Sequence, residues 1–151
     1  MPQSLAQVYV HVVFSTKNRT PVMASADLRR QMHAYLATVF KGHDCRPITI
    51  GGTADHVHIL CTWSRTRTLA EVIGDVKRLS SKWVKTKGPP LAVFQWQNGY
   101  GVFSVSHSNV GRVRKYIDGQ NQHHKTITFQ QELRTFLRKH GVPFDERYIW
   151  D

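Results

Sequence analysis

Two short stretches of this 151-residue chain carry residue types at spacings suited to chemistry. The first is His56-Val57-His58, which follows Gly51-Gly52-Thr53-Ala54-Asp55 and runs on into Ile59, Leu60 and Cys61. The apolar continuation reads as a buried strand. Alternate residues of a strand share a face, so the two imidazoles project together while Val57 enters the opposite layer. Two imidazoles fixed side by side make half of a metal site. A further ligand has to come from elsewhere, and Gln120, His123, His124 and His11 are the candidates. Asp55 falls on the wrong side of the strand. The plain alternative is a histidine pair that only forms hydrogen bonds on a half-exposed strand.

The second stretch is Tyr116-Ile117-Asp118-Gly119-Gln120-Asn121-Gln122-His123-His124. On a helix Tyr116 and Gln120, four apart, project from one face. His123 lies seven from Tyr116 and falls on nearly the same line, with His124 rotated further round. Arg112 stands one turn before Tyr116. One face thus offers a phenol, an amide oxygen and an imidazole. The competing explanation is an amphipathic helix whose tyrosine plugs the core.

The surrounding pattern shows what must position these groups. Leu5 to Phe14 alternates with β-branched residues and reads as a strand. Ser25 caps a helix from Ala26 to about Lys41, with Leu28, Met32, Tyr35, Leu36, Val39 and Phe40 on its buried side. A strand follows from about Arg46 to Ile50, and Gly51-Gly52 turns the chain into the histidine strand. Thr68 and Glu71 have the form of a capping box for a helix reaching about Lys85. Two strand-like segments, Leu91 to Trp96 and Gly101 to Val105, flank Gln97-Asn98-Gly99-Tyr100. Phe94 and Phe103 suit the core, whereas Trp96 and Tyr100 fit either the core or stacking on unpaired bases. A third helix starts near Ser108 or Asn109 and has a weak point at Gly119. Thr128 and Gln131 open a last helix from about Phe129 to His140, and an aromatic tail from Phe144 to Asp151 packs back on the domain. The order is a split βαβ pattern with a helical extension. The expected fold is α+β: a ferredoxin/RRM-like antiparallel sheet with helices on one face and a C-terminal helical extension carrying the tyrosine. The other sheet face is then free for a nucleic acid or an active site. Residues 1–151 form one domain, with no internal repeat or linker.

Charge narrows the partner. Twenty-one Lys and Arg stand against ten Asp and Glu, a formal net charge of +11. Such an excess in one domain favours a polyanion, usually nucleic acid. Arg78, Lys82 and Lys85 form a basic stripe opposite the apolar side of their helix, fit for phosphate contact or for plain solvation. No apolar run approaches the roughly 20 residues that span a bilayer, and Met1-Pro2-Gln3-Ser4 lacks the regions of a signal peptide. Cys45 and Cys61, among strand-like residues, read as reduced core thiols of a cytoplasmic protein.

His56-Val57-His58 resembles the HUH motif, histidine, hydrophobe, histidine, and Tyr116 with Gln120 resembles the tyrosine helix that accompanies it. Together they resemble the single-tyrosine HUH transposases: the TnpA proteins of the IS200/IS605 insertion sequences and their REP-associated tyrosine transposase relatives. The likeness extends to His11-Val12-Val13-Phe14-Ser15-Thr16-Lys17, Gly51-Gly52, Trp96-Gln97 with Gly99-Tyr100, Phe103-Ser104-Val105-Ser106, His123-His124 and Asp145-Glu146-Arg147-Tyr148. It implies that His56, His58 and Gln120 hold Mg²⁺ or Mn²⁺ and that Tyr116 attacks a phosphate of single-stranded DNA, giving a 5′-phosphotyrosine link and a free 3′-OH. It also implies hairpin DNA as partner, a homodimer in which one subunit's tyrosine helix completes the other's histidine pair, and a place in the prokaryotic cytoplasm with nucleoid DNA. Arg65, Arg67, Arg78, Lys82, Lys85 and Arg112 are the candidate DNA contacts. The competing functions are a domesticated REP-type strand transferase, a non-catalytic nucleic-acid-binding module and a metallohydrolase using bound water.

Overall fold

Alternation along the two central strands decides the architecture. In β1 (Tyr9–Ser15), Val10, Val12 and Phe14 join one buried cluster, while Val13 joins a second. In β3 (His56–Thr62), Val57, Ile59 and Cys61 enter that first cluster, which leaves His56, His58 and Leu60 for the opposite face. The two strands pair antiparallel with Ser15 opposite His56 and Val13 opposite His58. β2 (Arg46–Gly52) and β4 (Gly101–Val105) complete a four-stranded antiparallel sheet of order β2-β3-β1-β4. The computed structural model describes residues 4–124 and 126–150; Met1–Gln3 at the start and Asp151 in the tail lie outside them.

Helices α1 (Ala26–Gly42) and α2 (Leu69–Val84) cover the first face. Met32, Leu36, Val39 and Phe40 from α1 meet Val72, Ile73, Val76 and Val84 from α2 in the first cluster. Ser25 accepts a hydrogen bond from the Leu28 amide, and Thr68 from that of Glu71, as caps should. Glu71 does not close a capping box, because its carboxylate accepts from Arg67 instead. Cys45 and Cys61 are buried and free.

The second face is not left bare. α3 (Val110–Asp118), α4 (Gln120–His123) and α5 (Phe129–Lys139) lie over it, and Phe129, Leu133 and Leu137 pack with Val13 and Phe103. The tail packs back as its aromatic content suggests, with Phe144, Ile149 and Trp150 against this second cluster. Close approach of α3 to the sheet depends on Gly51, since a Cβ there would stand 2.5 Å from the Ile117 carbonyl oxygen. Gly51 and Gly52 therefore belong to β2, opposite His58 and Val57, and the turn falls later, over residues 53–55.

Three other boundaries differ from expectation. β1 begins at Tyr9 rather than Leu5, because its ladder partner ends at Thr62 and leaves Leu5 and Val8 exposed. Residues 91–96 are not a strand: Pro89–Leu91 form a 3₁₀ turn and Trp96 makes one isolated bridge to Thr16. The third helix is interrupted at Gly119, whose N–H reaches back to Lys115 and Tyr116 and closes α3. Trp96 is a core residue, packed edge-on against Phe14 and Phe94 with its indole N–H donating to Ser80 Oγ. Tyr100 is exposed, with the Lys77 ammonium 5.7 Å from its ring. Gln97 is structural: its side-chain oxygen accepts from the Ser15 amide and its NH₂ donates to the Ile149 carbonyl.

Candidate active site

His56 and His58 stand on the central strand β3, fully buried. His56 Nδ1–H donates to Asp55 Oδ1 at 2.7 Å, which aims Nε2 inward. Asp55 thus orients the ring from the turn before the strand, the outer partner that metal-binding histidines commonly have. Spacing along the strand missed it because Asp55 precedes the regular backbone. His58 Nδ1 lies 2.7 Å from His11 Nε2, so His11 steadies the second ring and does not face the inner cluster. Burial pushes the His58 pKa down to about 4, against the pull of Glu132, and the ring is neutral near neutral pH. Burial and His58 together hold His11 well below the ordinary histidine range.

The break at Gly119 sets the second half of the site. α4 starts at Gln120, whose NH₂ donates to the Tyr116 carbonyl at 3.4 Å and turns its oxygen inward. That oxygen lies 3.1 Å from His56 Nε2. Tyr116 is half-buried, with its ring centroid 6.0 Å from that of His58 of the same chain. Its hydroxyl donates to Glu132 Oε2 and lies 3.1 Å from His123 Nε2.

Glu132 is the residue that sequence reasoning missed. It stands on α5, 2% exposed, with Oε1 2.8 Å from His58 Nε2 and 3.6 Å from His56 Nε2. Its other oxygen faces Tyr116, His123 at 3.2 Å and His124 at 3.1 Å. A signal was present: Glu132 is three from Phe129 and four before Phe136, on the apolar side of its helix, where an unpaired carboxylate is costly. Burial opposes its ionisation, but hydrogen bonds from His124 and His58 outweigh that and hold it well below the usual carboxylate range. His124 responds in the opposite sense. Burial lowers its pKa, yet Glu132 and the Ile127 carbonyl, which accepts from Nδ1 at 2.7 Å, raise it overall. Burial and the hydrogen bond to Glu132 push the Tyr116 phenol well above its ordinary value.

His56, His58, His124 and Glu132 offer donor atoms within 4.8 Å of one another and could hold a metal ion. The Gln120 oxygen adds a further donor beside His56. Ligands about 2.1 Å from a shared ion stand roughly 3 Å apart, and the 2.8, 3.1 and 3.6 Å separations among His58, Glu132, Gln120 and His56 suit that. Imidazole, amide and carboxylate together suit Mg²⁺ or Mn²⁺ as well as softer ions. His123 and His124 meet the outer oxygen of Glu132, on the Tyr116 side.

Tyr116 also opens on a cavity of about 400 Å³, walled by Phe103 and Phe136 and lined by Arg112, Lys139 and His140. Arg112 is the one candidate DNA contact that the fold brings beside the tyrosine. Arg65, Arg67, Arg78, Lys82 and Lys85 belong to α2 and its approaches, across the sheet from the histidines. Arg65 donates to the Ser4 carbonyl, and Arg67 and Arg78 pair with Glu71 and Asp75. No helix among the described residues is long and apolar enough to cross a membrane.

Residues 4–120 match the family model described as "Transposase IS200 like". Two solved structures share the fold. A candidate transposase from Deinococcus radiodurans R1 aligns with TM-score 0.62 and 18% identity over 80% of this chain and 95% of that one. A REP-associated tyrosine transposase bound to a REP hairpin aligns with TM-score 0.60 and 10% identity over 84% and 74%. No curated protein matches significantly.

Proposed function

This chain belongs to the IS200-like transposase family, and from that premise we infer that it cleaves and rejoins single-stranded DNA with Tyr116 as nucleophile. One observation carries the reading: Tyr116 and His58 hydrogen-bond the same buried carboxylate, so the phenol and the histidine pair meet within one chain. His56, His58 and Gln120 would hold Mg²⁺ or Mn²⁺. When bound, the ion supplies Lewis acidity that makes the phosphorus of a scissile phosphate more electrophilic.

The chain's own residues do the rest. Tyr116 Oη forms a bond to phosphorus as the bond to the 3′ oxygen breaks. The 3′ oxygen leaves with a proton as a free hydroxyl, and the 5′ end stays on the tyrosine. Reversal by another 3′-OH rejoins the strand, and one phosphoester replaces another, so no ATP is needed. The raised phenol pKa means that its proton must leave as the bond forms. Arg112, which lines the cavity, is placed to attract the phosphate backbone. The substrate is hairpin-ended single-stranded DNA, met in the cytoplasm.

The test is a denaturation-resistant protein–DNA adduct formed with labelled hairpin DNA and Mn²⁺. Tyr116→Phe removes the adduct and keeps DNA binding within about threefold. Continued cleavage by Tyr116→Phe overturns the reading in favour of a water-using hydrolase, and binding without cleavage favours a non-catalytic module. A REP-type role draws support from the hairpin-bound neighbour. It predicts adducts with dispersed genomic hairpins in preference to hairpins flanking the chain's own gene.

A further inference from the structure

We propose that Glu132 is a metal ligand, supplied by α5, which completes a set with His56, His58 and Gln120 and tethers Tyr116 beside it. The inference rests on the metal site just described. It concerns a residue outside the shared family segment, since the match ends at Gln120 and α5 begins at Phe129.

Four observations converge. Oε1 of Glu132 lies on the side where the Nε2 atoms of both strand histidines point, 2.8 and 3.6 Å away. Those distances match ligands sharing one ion as well as the Gln120–His56 distance does. Charge is the second point. His56, His58 and Gln120 are each 0–2% exposed and provide imidazoles and an amide, with no negative charge to offset a dication. A buried charge is costly unless paired. Among the site's carboxylates Asp55 is committed to His56 Nδ1, and Glu132 reaches the inner side. Third, its two oxygens divide the work: Oε1 faces the histidines, and Oε2 takes the Tyr116 hydroxyl and His124 Nε2. One rigid group therefore fixes the spacing of nucleophile and ligand set. Fourth, the carboxylate is held from a firm base. Thr128 and Gln131 form a complete capping box at the start of α5, and Glu132 follows one turn in.

Mn²⁺ titration of the full chain, followed by electron paramagnetic resonance, tests this without any activity readout. The unmutated protein binds Mn²⁺, His58→Ala loses it, and Glu132→Gln weakens it by about tenfold or more. Mn²⁺ affinity in Glu132→Gln that equals or exceeds the unmutated value overturns the proposal, and assigns Glu132 as a counter-charge occupying the ion's place. Failure of the unmutated protein to bind, or binding untouched by His58→Ala, overturns the metal site itself and this inference with it. A Mn²⁺-soaked crystal of the unmutated protein decides independently of how any variant folds. An anomalous peak about 2.2 Å from Glu132 Oε1 supports the proposal, and a peak on the histidines with Glu132 turned away overturns it.

Discussion

His58 and His33 are both pushed down to about 4 by burial, yet they differ in what surrounds them. His58 has a partner on each ring nitrogen. His33, on α1, has a buried Nε2 with no hydrogen-bond partner among the described residues and the Arg29 cation nearby. Its folded pKa lies below the unfolded value of 6.5, so the unfolded chain takes up the proton first. Stability conferred by the neutral ring is complete above about pH 6.5 and is lost as pH falls toward 4. Urea denaturation at pH 7 and pH 4 should show His33→Leu losing less stability than the unmutated chain, by on the order of 2–3 kcal/mol. Equal losses would show that His33 titrates normally.

At the scale of elements, the site is an agreement between β2, β3 and the break between α3 and α4. Ile117 sits over Gly51, and the next residue toward the N-terminus is Tyr116. Gly51→Ala would place a Cβ 2.5 Å from the Ile117 carbonyl oxygen, so α3 must move off the sheet. The expected cost is about 1–3 kcal/mol of stability. Adduct formation should fall by tenfold or more, because a displacement near 1 Å at the nucleophile is that expensive. Gly42→Ala, with nothing within 4 Å of the added carbon, is the control for a generic glycine effect.

For the whole molecule, the arrangement of charge and the completeness of the site matter most. The formal net charge of +11 gives long-range attraction for DNA. The basic residues near α2 lie across the sheet from Tyr116, so under the proposed function they would meet DNA only away from the tyrosine. The tyrosine and histidines meet within one chain, and cleavage in cis is the simplest expectation under the proposed function. Mixing Tyr116→Phe with His58→Ala should then leave adduct formation at the level of either variant alone. Recovery of a substantial fraction of normal adduct on mixing would instead show that tyrosine helices are exchanged between subunits.

Much was legible along the chain. Period-two alternation separates Val57 from His56 and His58, caps mark three helix starts at Ser25, Thr68 and Thr128, and the HUH pair with Tyr116 and Gln120 points to the transposase family that residues 4–120 match. These are local signals, carried by neighbours a few residues apart. Tertiary packing alone decided that His11 meets His58 diagonally across two strands and that Trp96 enters the core. Above all it decided the place of Glu132. A carboxylate on an apolar helix face announces only that something must compensate it. Which histidines and which tyrosine do so depends on how α5 crosses the sheet, a contact between residues 74 apart in sequence for Glu132 and His58.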